Sequence, residues 1–252
     1  MKLVERTVHG AIHELKLARA PVNALNPQLC SDLAGALDEA VADGARGVIL
    51  AGGPKVFSAG LDVPYLLSLG DDRAALTDAW TRFFGCARAL AESPVPVVAA
   101  IAGHAPAGGC VLALCCDYRV MAKGPFRIGL NETRVGLAAP EGIQHLLSRT
   151  VGPHRAERLL ITGELLDAEQ AFAIGLVDEL VDLDAVTPRA RVWLEDLLTL
   201  PGQPMLETRA IARSDLIAAM QPDRVRLDHF INGWFSADSQ AGLRALVAAL
   251  GK

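Results

Sequence analysis

A chain of 252 residues that is 51% hydrophobic can bury one substantial core, or one core with a small appendage. Its 24 basic and 29 acidic residues give a net charge of −5, which leaves no basic footprint for nucleic acid. The longest apolar run, Pro94–Gly103, has proline or glycine at both ends and is too short to span a membrane.

The five cysteines are odd in number, sit in apolar segments and lack CxxC spacing, so a disulfide frame and a zinc site are both excluded. A mean hydropathy of +0.29 is high for a soluble protein of this size and predicts an interface between subunits. The N-terminus carries no signal segment or Arg/Ser-rich presequence and the C-terminus no peroxisomal tripeptide, which makes the cytoplasm the expected compartment.

In chain order, residues 2–8 and 11–17 alternate like an antiparallel strand pair around His9-Gly10. Asn26 is a candidate N-cap with Pro27 at the first helical position, and the apolar spacing after it predicts an amphipathic helix over 27–43. A short buried strand, GVILAGG, precedes VFSAGLDV, which enters a short helix; a longer helix follows over 71–93. VPVVAAIAG is the next strand, leading through HAPAGGC into a small apolar helical stretch, VLALCC, and then the strand DYRVMAK. Helices are expected at 140–150, 153–162 and 167–174, a strand at 177–182, and three or four helices over 184–250. The clearest break is LPGQP at 200–204, which divides an α/β core of residues 1–199 from a helical region of 200–252.

Two stretches bring backbone amides into the open: Phe57-Ser58-Ala59-Gly60-Leu61-Asp62 and Ala107-Gly108-Gly109-Cys110, each a loop feeding a helix. Neither is a dinucleotide fingerprint or a phosphate loop. Ser58 lacks the GxSxG elbow and a suitably placed histidine, so it reads as structural. Taken alone, a Gly-Gly pair is most simply tight packing of helix on strand.

Four motifs in register change that reading. VFSAGLDV, AGHAPAGGCVLALCCDYRV, IGLNETRVG and GLVDELV occur in an order and spacing that resemble the enoyl-CoA hydratase/isomerase (crotonase) superfamily. APVNALN, PAGGC, GLNET and the late FSADSQAGL resemble its mitochondrial-type 3,2-enoyl-CoA isomerase branch. The resemblance implies an α/β fold, a spiral of ββα units with a helical C-terminal trimerisation region, and an acyl-CoA thioester as substrate. It implies a homotrimer or a dimer of trimers, and no cofactor beyond the coenzyme A carried by the substrate. By motif match, the backbone N–H groups of Leu61 and Gly108 form an oxyanion hole. Asn23, Ala24, Ala59, Gly60, Asp62 and Gly109 fall where the family holds the coenzyme A portion.

The resemblance also makes an absence informative. Hydratases of the superfamily use two glutamates, one on the helix two residues after the glycine pair and one at the position matching Glu132. Here the first position is Val111, which can neither give nor take a proton. An allylic shift needs a single carboxylate, so an isomerase moving a 3-enoyl-CoA double bond into conjugation is the expected activity in β-oxidation, with Glu132 as base. Glu141 is the rival, because Pro140-Glu141-Gly142 resembles a turn from which another isomerase branch takes its base; in isolation it reads as a solvent-facing first-turn glutamate. Hydration, another reaction of an acyl-CoA thioester, or a non-catalytic relative binding a partner or RNA are the alternatives.

His104 is expected to make a local loop hydrogen bond, and the other histidines show no spacing for a metal or a triad. Trp80, Phe83 and Phe84 should form the buried face of their helix or line an acyl tunnel. Arg149, Arg155 and Arg158 read as a solvated helix face, with coenzyme A phosphate contact the lesser alternative.

Overall fold

A computed structural model describes residues 2–250. In chain order the elements are β1 (Val4–His9), β2 (Ile12–Leu17), α1 (Pro27–Ala42), β3 (Gly47–Ala51), α2 (Val63–Ser68), α3 (Arg73–Glu92), β4 (Val97–Ile101), β5 (Ala105–Pro106), α4 (Gly108–Leu114), β6 (Tyr118–Ala122) and β7 (Arg127–Gly129). A 3-10 turn, Glu132–Val135, precedes α5 (Glu141–Val151), α6 (Pro153–Thr162), β8 (Leu166–Asp167), α7 (Ala168–Ala173), β9 (Glu179–Val181) and α8 (Val186–Leu197). Five more helices follow among the described residues: α9 (Gly202–Ala212), α10 (Ser214–Ala219), α11 (Pro222–Val225), α12 (Leu227–Trp234) and α13 (Ala237–Leu250).

The main sheet runs β1-β2-β3-β4-β6-β9, antiparallel only at the β1/β2 hairpin and parallel elsewhere. All residues of β3 and β4 are buried, as central parallel strands covered on both faces must be. The two-residue period sorts them cleanly. Val48, Leu50, Val97 and Ala99 join the large cluster with α1, α3 and α4, while Ile49, Val98 and Ala100 face α8 through Val186, Ala190 and Leu194. Asn26 caps α1 as expected, its side chain accepting from Leu29 N at 2.9 Å with Pro27 next.

A second sheet, β5-β7-β8, is built from strands of two and three residues. These are too short to carry an alternating pattern, and the sequence reading placed no strands there.

The C-terminal region also differs from expectation: among the described residues six helices follow residue 184 instead of three or four. Pro201 and Pro222 start new helices, Arg213 sits between α9 and α10, and Arg226 adopts a left-handed conformation that ends α11. Leu216, Phe230, Ile231, Trp234 and Leu243 from this region enter the same buried cluster as α1 and α3. There Trp80 meets Phe230 edge-on at 4.4 Å and stacks on Phe84 at 5.9 Å. Trp80, Phe83 and Phe84 are thus core residues, each aromatic pair contributing about 0.5–1.5 kcal/mol beyond its burial. Among the described residues no helix is long and apolar enough to cross a membrane.

Candidate active site

The loop after β3 is held by its neighbours at nearly every residue. Phe57 N donates to His104 O at 2.9 Å, Ala59 N to Val22 O at 3.0 Å, and Asp62 N to Leu25 O at 3.0 Å, while Leu25 N donates to Gly60 O at 2.7 Å. Leu61 N–H, between the engaged amides of Gly60 and Asp62, is left unpaired. Among the described residues it donates to no acceptor, and neither does the N–H of Gly108 at the start of α4. The two are neighbours in space: a Cβ added to Gly60 would lie 3.1 Å from Gly108 N, and one added to Gly108 would lie 3.0 Å from Leu61 Cδ1. Two adjacent unpaired donors on a rigid frame are what an oxyanion requires.

Ala107 sets the direction of the second donor. It has φ 48 and ψ −119, a conformation that an L residue rarely adopts. Ala107 N donates to Gly129 O at 2.8 Å and its carbonyl accepts from Val111 N at 3.0 Å, so the peptide between them is fixed from both sides.

Glu132 opens the 3-10 turn, which is anchored from several directions. Thr133 Oγ1 donates to Leu160 O at 3.1 Å, Arg134 Nε to Gly163 O at 2.8 Å, and Ser239 Oγ of α13 to Gly136 O at 2.5 Å. The Glu132 residue is half-buried, yet its Oε2 is closed off from solvent and has no hydrogen-bond partner among the described residues. Burial pushes its carboxyl up to about 7 from an ordinary 4.5. Burial first, and then the charge of Glu132, raises the Cys110 thiol, which places α4 within electrostatic reach of the carboxylate. Asn131 Oδ1, next to Glu132 in the chain, is likewise buried without a partner. Val111 on the same helix is fully buried in the core.

Glu141 is in a different environment. It is the first residue of α5, about half exposed, and pairs with the equally exposed Arg224 at 2.8 Å. It stands at the edge of a cleft of about 440 Å³ lined in part by Leu137, Phe230 and Trp234. Of the two glutamates, Glu132 has a carboxyl oxygen closed off from solvent and unpartnered among the described residues, while Glu141 is half exposed and engaged with Arg224.

Of the residues expected to hold coenzyme A, three are already occupied within the chain. Asn23 Nδ2 donates to Phe57 O at 3.0 Å and its Oδ1 accepts from Arg19 N at 2.9 Å. Asp62 caps α2 through Tyr65 N at 3.1 Å and accepts from Arg19 Nη2 at 2.6 Å. Gly109 packs against the Ser58 loop, where an added Cβ would fall 2.5 Å from Ser58 O. The side chains of Asn23 and Asp62 therefore shape the loops, which leaves backbone as what those positions can offer a ligand. Ala24 and Ala59 are partly exposed beside them, and Gly60 is buried at φ 83. Ser58 Oγ donates to Asn23 O at 2.8 Å, a structural role as expected. His104 Nδ1 accepts from Arg127 N at 3.1 Å, which is the local loop bond its position suggested.

Arg19, Ala107 and Ser239 were not singled out by sequence. Ala107 leaves no trace there, since alanine is not a residue that marks positive φ, and Arg19 and Ser239 act through contacts distant in sequence. Among the described residues no cluster of His, Cys, Asp and Glu could hold a metal ion.

Comparison with known proteins bears on the family and the fold. The sequence pattern of the family described as enoyl-CoA hydratase/isomerase matches residues 7–231. Enoyl-CoA delta isomerase 1, mitochondrial, of Mus musculus is 36% identical over 237 residues, covering 91% of this chain and 81% of the mouse protein. A probable enoyl-CoA hydratase of Mycobacterium tuberculosis is also 36% identical, over 78% of this chain and 74% of its own length. The crystal structure of human mitochondrial delta3-delta2-enoyl-CoA isomerase superposes with a TM-score of 0.93 at 31% identity, covering 99% of this chain and 98% of that one.

Proposed function

This chain belongs to the enoyl-CoA hydratase/isomerase family, and from that membership we propose that it is a 3,2-enoyl-CoA isomerase. Its substrate is a 3-enoyl-CoA, and its product the conjugated 2-trans-enoyl-CoA. The observation that carries the reading is the pairing of Glu132, closed off and raised to about 7, with a fully buried Val111 where a hydratase needs its second carboxylate.

The thioester oxygen is held by the N–H groups of Leu61 and Gly108. The Glu132 carboxylate removes a proton from C2, and the electron pair moves into a dienolate whose oxygen carries the charge. The two amides stabilise that charge, each at about 2.7–4 kcal/mol by analogy with a single oxyanion-hole donor. The protonated Glu132 then returns the proton to C4, and the double bond has moved from C3–C4 to C2–C3 with no net gain or loss of atoms. A carboxyl with a pKa near 7 suits both halves of this exchange, being a sufficient base and a sufficient acid near neutral pH. Such a shift returns an unsaturated acyl chain to β-oxidation.

Hydration is the second reading, favoured by the similarity to the mycobacterial probable hydratase. Incubation with 3-hexenoyl-CoA, followed by the absorbance of the conjugated enoyl thioester, separates the two. Absence of signal at every 3-enoyl chain length defeats the isomerase proposal, and a 3-hydroxyacyl product from a 2-enoyl-CoA establishes the hydratase. We further propose a homotrimer or a dimer of trimers, to be read by sedimentation, and a cytoplasmic location, to be read by fractionation since the mouse relative is named as mitochondrial.

A further inference from the structure

At the opposite end of α4 from Gly108, Leu114 and Cys116 border a separate cavity of about 370 Å³. Four arginines from four places in the chain converge on it: Arg119 of β6, Arg149 of α5, Arg209 of α9, and Arg213 between α9 and α10. Three carboxylates answer them. Asp117 accepts from Arg209 Nε at 2.7 Å and lies 3.0 Å from Arg213 Nη1, Asp178 pairs with Arg119 at 2.7 Å, and Asp215 pairs with Arg149 at 2.9 Å. Four guanidiniums against three carboxylates leave one positive charge uncompensated. His145, 3.7 Å from Asp215, adds to the same sign when protonated.

Two guanidinium N–H groups on the arginines that line this cavity have no acceptor among the described residues, and one of them is closed off from its open space. Arg213 is only 6% exposed, and its Nε is buried with no partner among the described residues, although its Nη2 reaches the carbonyls of Ala91 and Cys115. Arg149 uses Nε on Asp215 and Nη2 on Ala212 O, leaving Nη1 with no acceptor among the described residues. A buried donor without a partner is a standing cost in a folded protein, and a shift of the Arg213 side chain that brings this donor to a ligand acceptor relieves it. Burial also pulls the Arg213 guanidinium below its usual range, an effect that a nearby anion opposes.

We propose that this cavity is a binding site for a phosphate group, held by Arg213 and Arg149 against the surplus charge of the four-arginine cluster. Arginine forks from separate elements suit an oxyanion that offers acceptors in several directions, as phosphate does. The volume accommodates inorganic phosphate with a few waters, or a small phosphomonoester. The site lies apart from Glu132, and its occupation stabilises the seat of α9 and α10 on the C-terminal end of α4.

The test is thermal unfolding of the full chain at constant ionic strength, with inorganic phosphate or glycerol phosphate replacing chloride up to 20 mM. Calorimetric titration is run alongside on the wild type and on Glu132→Gln, Arg213→Gln and Arg149→Gln. The expected result is a Tm rise of at least about 2 °C with one site per chain in the wild type and in Glu132→Gln. Arg149→Gln, which alters a partly exposed side chain and leaves the core intact, should weaken binding at least tenfold even if Arg213→Gln does not fold. A response to inorganic phosphate alone identifies the free ion as ligand, and a stronger one to glycerol phosphate identifies a phosphomonoester. Absence of a Tm shift when either phosphate replaces chloride, or Arg149→Gln binding as the wild type does, overturns the proposal. Retention in Glu132→Gln keeps this outcome independent of the isomerase reading.

Discussion

Arg19 Nη2 donates to Asp62 Oδ2 at 2.6 Å, and the same guanidinium donates from Nη1 to Ala24 O at 2.8 Å. One side chain thus ties the loop carrying Asn23 and Ala24 to the loop carrying Gly60 and Leu61, and Asp62 in turn caps α2. The pair is partly buried, with 27% and 13% side-chain exposure, so it is less screened than a surface ion pair.

Asp62→Ala removes the cap of α2 and leaves Arg19 without its carboxylate. The cap alone is worth about 1 kcal/mol, and the stranded guanidinium brings the expected loss to about 2 kcal/mol. Because Leu61 N–H is the amide immediately before that of Asp62, kcat/KM for a 3-enoyl-CoA should fall by about tenfold or more with Glu132 intact. Urea denaturation and steady-state kinetics on one preparation check both figures. Unchanged values in both would mean that the clamp does not position the donor.

Glu132→Gln keeps the shape of the side chain and removes the proton acceptor. The expected drop in kcat is about 10³-fold, within the range for loss of a general acid–base, with acyl-CoA binding unchanged within about threefold. Glu141→Gln changes only an exposed ion pair with Arg224, and should leave kcat within about twofold and stability within about 0.5 kcal/mol. The reverse pattern, a dead Glu141→Gln beside an active Glu132→Gln, would transfer the base to Glu141.

The raised pKa of Glu132 makes two statements about pH. The proposed base must be ionised to act, so kcat/KM should fall on the acid side with a midpoint near 7 and not near 4.5. For stability, the folded carboxyl holds its proton up to about 7 while the unfolded one releases it near 4.5. Between those values the folded state binds more protons, and stability declines as pH rises; below 4.5 the contribution vanishes, and above 7 it is constant. Glu132→Gln should therefore be more stable than the wild type at pH 8, by up to about 3 kcal/mol, with the gain disappearing towards pH 4.5. Denaturation curves at pH 8 and pH 4.5 measure that difference. An equal gain at both pH values would show that the carboxyl is not raised in the folded protein.

Much of this arrangement was legible before the structure. β3 and β4 are short all-apolar runs bounded by glycine or proline, and α1 has its cap and proline in the sequence. Glu132 and Val111 could be weighed against each other because four motifs fixed their register. What was not legible depends on contacts distant in sequence or on backbone without a residue signature. The strands of the second sheet hold two or three residues and cannot show a period. Asn23 and Asp62 look available in the sequence, and only the fold shows that Phe57 O and Arg19 already use their side chains. The C-terminal helices break at Arg213 and Arg226, neither of which is a residue that ordinarily marks a break.

Ala107 and Gly109 flank the Gly108 donor, and exchanging their side chains separates strain from packing. Ala107→Gly keeps every backbone bond and relieves an L residue of φ 48. Against that relief stands the larger entropy of the unfolded glycine chain, so the net gain should be small, about 0.5 kcal/mol, with kcat near wild type. Gly109→Ala does the opposite. Its Cβ would sit 2.5 Å from Ser58 O, which is backbone and held by the loop, so α4 must move away from Leu61. Overpacking of this kind costs about 1–3 kcal/mol, and displacing Gly108 N–H from the thioester oxygen should lower kcat by about 10²-fold. Differential scanning calorimetry and single-turnover kinetics on the two variants give the comparison. If Gly109→Ala is as active as the wild type, the spacing between α4 and the Ser58 loop does not set the oxyanion site, and Gly108 has no part in holding the dienolate.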